Sequence, residues 1–148
     1  MYDQPRAHSS QTSMTFEQML ERVRYEGAYP TRERAAVVVR QVLAALGRQL
    51  TGNERGDLAQ CLPVEAALAL TASVPDGAPL TGWGFVKDLA ARTGATPATA
   101  RWDTGAVLAA VTRLAGPDLL ARILHQLPDG YALLFGQAEL RRPEPAAA

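Results

Sequence analysis

A chain of 148 residues with zero formal net charge, 47% hydrophobic and 20% charged, has the balance of one globular domain able to bury a core. That composition excludes disorder over most of the length, and neutrality removes the general attraction to phosphate backbones or anionic lipid that nonspecific binding needs. The single cysteine, Cys61, permits no internal disulfide and has no partners at zinc-type spacing.

Residues 1–14 are polar, lack the apolar stretch of a signal peptide and are expected to form a disordered lead. Uncharged runs such as Ala66 to Pro75 and Thr104 to Thr112 fall well short of the roughly 20 residues that cross a bilayer. Fourteen arginines against the single Lys87, with abundant alanine, point to GC-rich coding in a bacterium, and the lone thiol suits a reducing cytoplasm.

Helical periodicity runs through nearly the whole chain, so the expected class is all-α. Thr15 and Gln18 make a capping box for a first helix with Phe16, Met19, Leu20 and Val23 on one face and Gly27 as its stop. A second helix follows Pro30-Thr31 and runs to about Leu50, with Ala35, Val39, Val42, Leu43 and Leu46 on one stripe. Thr51 and Glu54 read as another capping box, opening a third helix that carries Leu58 and Leu62 inward. Pro63 suits the first turn of a short fourth helix, Val64 to Leu70.

Breakers crowd the linker 72–82, after which the pattern starts again. Helices are expected at Trp83 to Thr93, from Thr96-Pro97 to Leu114, from Leu119 to Gln126, and from Asp129 to about Leu140, with 141–148 a flexible tail. Phe16 and Leu20 match Phe85 and Leu89 at an offset of 69. Val39, Leu43 and Leu46 match Val107, Val111 and Leu114 at 68, and Leu58, Leu62, Pro63 and Leu68 match Ile123, Leu127, Pro128 and Leu133 at 65. The reading is an internal duplication: two related four-helix units, 15–71 and 83–140, packed as one domain over 15–140. Leu62, Pro63, Leu127 and Pro128 are its matched structural anchors.

Phe16-x-x-Met19-Leu20, Gln60-Cys61-Leu62-Pro63, His125-Gln126-Leu127-Pro128 and Tyr131-x-x-x-Phe135 resemble the bacterial two-repeat family catalogued as domain of unknown function 2267, over about residues 15 to 136. The resemblance implies a cytosolic all-helical domain without an established activity. It also implies glutamine before Leu-Pro in both halves; the second half has Gln126 there and the first has Cys61.

Chemistry is sparse along the chain. Cys61 has no histidine within a helical turn to make thiolate and reads as a small, partly buried side chain. His125 reads as a solvated residue near a helix C-terminus. Glu-x-x-His, Gly-x-Ser-x-Gly and phosphate-loop patterns do not occur, so no catalytic, metal or cofactor residues are assigned. Arg22, Arg24, Arg32, Arg34, Arg40, Arg48 and Arg55 interleave with Glu17, Glu21, Glu26, Glu33, Glu54 and Asp57, which reads as a solvated, ion-paired face and disfavours nucleic acid.

Trp102 falls off the main stripe of its helix, pairs with Arg34 at an offset of 68, and is expected to pack against the other unit. The alternative is a partner contact flanked by Arg101 and Arg113. The function favoured is a noncatalytic helical interaction or scaffold module whose partner is a protein, self-association included. Second comes a small-molecule-binding protein or enzyme with a pocket between the repeats, and third a DNA-associated regulator.

Overall fold

The computed structural model describes residues 14–75 and 77–137; the expected lead at 1–14 except for Met14, residues 138–140 of the expected last helix and the tail lie outside the described residues. Within them the chain is all-helical, with seven helices and no strand. In chain order these are α1 (Phe16–Gly27), α2 (Arg32–Gln49), α3 (Gly52–Cys61), α4 (Val64–Ala72), α5 (Gly82–Thr93), α6 (Pro97–Gln126) and α7 (Tyr131–Leu134).

Local chemistry sets most of the boundaries. The Thr15 hydroxyl accepts from the Gln18 N–H at 3.1 Å, while the Gln18 side-chain carbonyl accepts from the Thr15 N–H at 3.0 Å. Both halves of the box therefore satisfy donors that α1 would otherwise leave bare. The Thr31, Thr81 and Thr96 hydroxyls cap α2, α5 and α6 by accepting from the Arg34, Gly84 and Thr99 N–H groups, each worth about 1 kcal/mol. Gly116, at φ 80 and ψ 165, breaks α6 into limbs 97–115 and 117–126, at the Gly-Pro boundary expected between separate helices.

Three expectations need correction. The Thr51 side chain makes no cap on α3; instead Gln126 accepts from the Thr51 N–H at 2.7 Å and donates to the Thr51 carbonyl at 3.1 Å and to Glu54 Oε1 at 3.0 Å. A side-chain amide from the far half offers both a donor and an acceptor, which the local hydroxyl does not replace. Arg55 is a partly buried strut rather than part of a solvated face. Its guanidinium donates to the carbonyls of Gly47 at 3.2 Å, of Leu70 at 3.4 Å and of Ser73, joining the C-terminal turns of α2 and α4. The last helix, expected from Asp129 to about Leu140, is Tyr131–Leu134 among the described residues, and Gly136 turns left-handed at φ 77.

The core is a single cluster drawing on every helix. α2 packs along α4 and meets α1, α5 and α6; α6 lies against α1, α2, α3, α5 and α7. Because α1 lies against α6 as well as α2, no helix set buries its apolar faces by itself. Leu62, Pro63 and Leu127 are buried and Pro128 is half-buried.

Caps and burial also revise the register between the halves. Thr15, Met19, Leu20, Val23 and the left-handed cap Ala28 correspond to Thr81, Phe85, Val86, Leu89 and the left-handed Gly94, an offset of 66 rather than 69. Along α2 and α6, buried Ala35, Val38, Val39, Val42, Leu43 and Leu46 correspond to buried Ala100, Asp103, Thr104, Val107, Leu108 and Val111 at 65 rather than 68. The sequence stripes favour 68 because Val39 and Leu43 fall on apolar Val107 and Val111 there, one helical turn from the Thr104 and Leu108 that share their burial. The one-residue step from 66 to 65 falls in the α1–α2 loop, one residue longer than the loop between α5 and α6.

Candidate functional site

At an offset of 65 the residues opposite Val37, Val38 and Val39 are Trp102, Asp103 and Thr104. Two of these polar or amphipathic replacements point into the fold: Asp103 is 7% exposed and Thr104 fully buried. A buried carboxylate requires a donor, and the longer α1–α2 loop supplies one. The Tyr29 hydroxyl donates to Asp103 Oδ1 at 2.5 Å. Burial, that hydrogen bond and the carboxylate charge hold the Tyr29 phenol above its ordinary range, against a smaller opposing pull from Arg34. The Thr104 hydroxyl is buried with no partner among the described residues.

Trp102 grips the same loop from outside. Its indole N–H donates to the carbonyl of buried Gly27 at 2.9 Å, one of the acceptors that the C-terminal end of α1 leaves without an intrahelical donor. The Tyr29 ring lies over Gly27 so closely that a Cβ there would stand 2.1 Å from the ring. Between the two gripped residues sits Ala28 at φ 54, the only described non-glycine residue in the left-handed region. Consecutive residues of α6 thus clamp a strained turn from two sides.

Through Gly27 the indole touches the other half, as the packing reading expects, without being enclosed there. The ring remains 55% exposed, and its counterpart is Val37, 41% exposed, rather than Arg34. Arg101 and Arg113 are exposed. Arg101 lays its guanidinium over Gly105, where a Cβ would come within 3.1 Å of Nη1. Eleven residues bring Arg113 back to within about 20° of Trp102 on the helix, some 16 Å along it. Asp103 is the one acid on the 97–115 limb and is buried, so the exposed charge of this limb is entirely arginine.

The other sequence candidates lie apart from this face. His125 is exposed and Cys61 half-buried; burial, then the charge of Asp57, pushes the Cys61 thiol up, away from a nucleophile. No three metal-ligating side chains converge among the described residues, and no described helix is long and apolar enough to cross a membrane. Sequence reasoning missed Tyr29 and Asp103, because the 68-residue register set Asp103 against Ala35 and hid the replacement of a core valine by a carboxylate.

No curated protein matches the chain. Residues 16–134, which run from the first residue of α1 to the last of α7, match the family described as "Uncharacterized conserved protein (DUF2267)", and the chain belongs to that family.

Proposed function

We propose that this chain is a noncatalytic helical interaction module of the bacterial cytoplasm, built by duplication of a four-helix unit, with the Trp102 face of α6 as its docking surface. The observation that carries this reading is an indole held in one orientation by the Gly27 carbonyl yet 55% exposed. An anchored aromatic loses little conformational freedom on binding, and tryptophan flanked by arginine is the usual composition of an interface hot spot. Arg101 and Arg113 as the exposed charges of the limb, twelve residues and so about 18 Å apart along it, favour a protein partner presenting carboxylates at that spacing, the reach of roughly five to six extended residues. The duplication is supported by the near-constant offset of caps and buried positions and by Leu-Pro at both third-helix ends.

The test compares Trp102→Ala and Arg101→Ala with the parent chain in quantitative affinity capture and in sedimentation. Both variants are expected to keep native circular dichroism and cooperative melting while losing a partner, or a self-association, that the parent retains. An unchanged set of partners and an unchanged oligomeric state for Trp102→Ala would sink the proposal.

A further inference from the structure

A second site arises where the halves differ most. In the second half the N-termini of α5 and α7 close directly on each other. The Gly82 N–H donates to the Asp129 carbonyl at 2.8 Å, and a Cβ on Gly82 would stand 2.6 Å from the Gly130 carbonyl carbon, so only glycine permits this backbone contact. The segment before α5 is tied down as well: the Leu80 N–H donates to Gln49 Oε1 at 2.9 Å, and the Tyr131 hydroxyl donates to the Leu80 carbonyl at 3.0 Å.

Every device of that closure is replaced in the first half. At the offsets of 66 and 65, Phe16 stands for Gly82, Glu65 for Gly130, Leu114 for Gln49 and Ala66 for Tyr131. Two side chains now occupy positions where two glycines let the backbones touch, and the anchoring amide and phenol are gone. The junction of α1, α3 and α4 is accordingly an open groove of about 590 Å³, within the range that holds a small ligand. Its apolar lining includes Met14, Phe16, Leu62, Val64 and Leu114, and its only charged liners are Glu17 and Glu65. Both are exposed, and neither is ion-paired with a described residue. Arg40 stands 5.9 Å above the Phe16 ring and does not line the groove.

We propose that this groove binds a small amphipathic amine, its apolar body seated on Phe16, Leu62 and Val64 and its protonated nitrogen held by Glu17 and Glu65. A neutral apolar ligand would leave both carboxylates unused, and an anionic one would be repelled by them. This site is separate from the Trp102 face and stands whether or not that face docks a partner.

Three probes with one aromatic body distinguish the outcomes: phenethylamine, neutral 2-phenylethanol and anionic 3-phenylpropanoate, each titrated into the full ¹⁵N-labelled chain at low salt and neutral pH. Phenethylamine is expected to give saturable shifts at Phe16, Cys61, Val64 and Glu65, with the alcohol about tenfold weaker and the anion weaker still. The exposed double substitution Glu17→Gln/Glu65→Gln, with native circular dichroism, should reduce the amine to the affinity of the alcohol. Equal binding of amine and alcohol, saturation at other residues, or no saturation at millimolar amine would overturn the proposal. Nuclear Overhauser contacts from residues 1–13 to Phe16 or Val64 would also overturn it, by giving the groove to the chain's own lead.

Discussion

Asp57 and Arg122 close an ion pair of 2.6 Å between the third helix and the second limb of α6, and 65 residues separate them, the same offset as between Leu62 and Leu127. Arg122 also reaches Glu54 at 3.4 Å. The hydrogen bond to Asp57 and the two carboxylate charges hold the Arg122 guanidinium above its ordinary range. Arg122→Asp places a third carboxylate among two. Its melting temperature should fall below that of the parent at low salt, and the difference should narrow as salt screens the repulsion. A difference independent of salt would mean that the pair acts through packing instead.

Leu62 and Leu127 each end a helix ahead of a proline and are 7% and 8% exposed. Proline fixes the turn, so the site collapses poorly around a truncated side chain. Leu→Ala at either position should cost roughly 2–5 kcal/mol by denaturant unfolding, and losses under about 1 kcal/mol at both would remove them from the core.

Tyr29 and Asp103 form a pair in which either deletion strands the other. Tyr29→Phe leaves a buried carboxylate without its donor and should cost about 1–3 kcal/mol or more. Asp103→Val puts the residue type of Val38 there, and in Tyr29→Phe/Asp103→Val neither position of the pair carries a buried group without a partner. The double variant should therefore be more stable than Tyr29→Phe alone. A double-mutant cycle with coupling near zero would show that the two side chains act independently.

Alkaline pH probes the same hydroxyl. The folded phenols of Tyr29 and Tyr131 are both raised, Tyr29 by burial and then by Asp103, Tyr131 by burial. Their contribution to stability is intact below the unfolded tyrosine value of about 10 and declines as pH rises above it, because the unfolded chain releases those protons first. Absorbance at alkaline pH should show two phenols ionising only together with loss of helical signal. Ionisation of all tyrosines ahead of unfolding would contradict the burial assigned to both.

Trp102 is held by one hydrogen bond and half of its surface. Trp102→Ala should cost about 1–2 kcal/mol, below the 3–5 typical of a fully buried aromatic. With Trp83 56% and Trp102 55% exposed, the native emission should lie near that of solvated tryptophan, and a strongly blue-shifted spectrum would place Trp102 inside.

Helix class, the first-helix capping box, the Gly116 break and the Leu-Pro anchors are legible in the sequence because each is set within a few residues of itself. The α3 cap and the Arg55 strut are not, since Gln126 reaches Thr51 across 75 residues and Arg55 spans 18 to Ser73. Tyr29 and Asp103 escaped for a different reason. On a helix a valine run tolerates a shift of one turn, so the stripes of α2 and α6 align almost as well at 68 as at 65, and only burial separates the two. The open groove carries no motif at all, because it arises from what two glycines permit in one half and two side chains forbid in the other.

The placement of α1 against α6 governs how the chain reaches its structure. A ribosome must add most of the sequence after Gly27 before the first limb of α6 emerges, several seconds at 5–20 residues per second. Until then Met19, Leu20 and Val23 have only a fraction of their cover. The first half is therefore a nascent chain with an unfinished surface, and closure comes late, when the 97–115 limb brings Trp102 and Asp103 to the loop that awaits them. A fragment ending before that limb should stay unfolded or associate, and the two halves should gain structure on mixing.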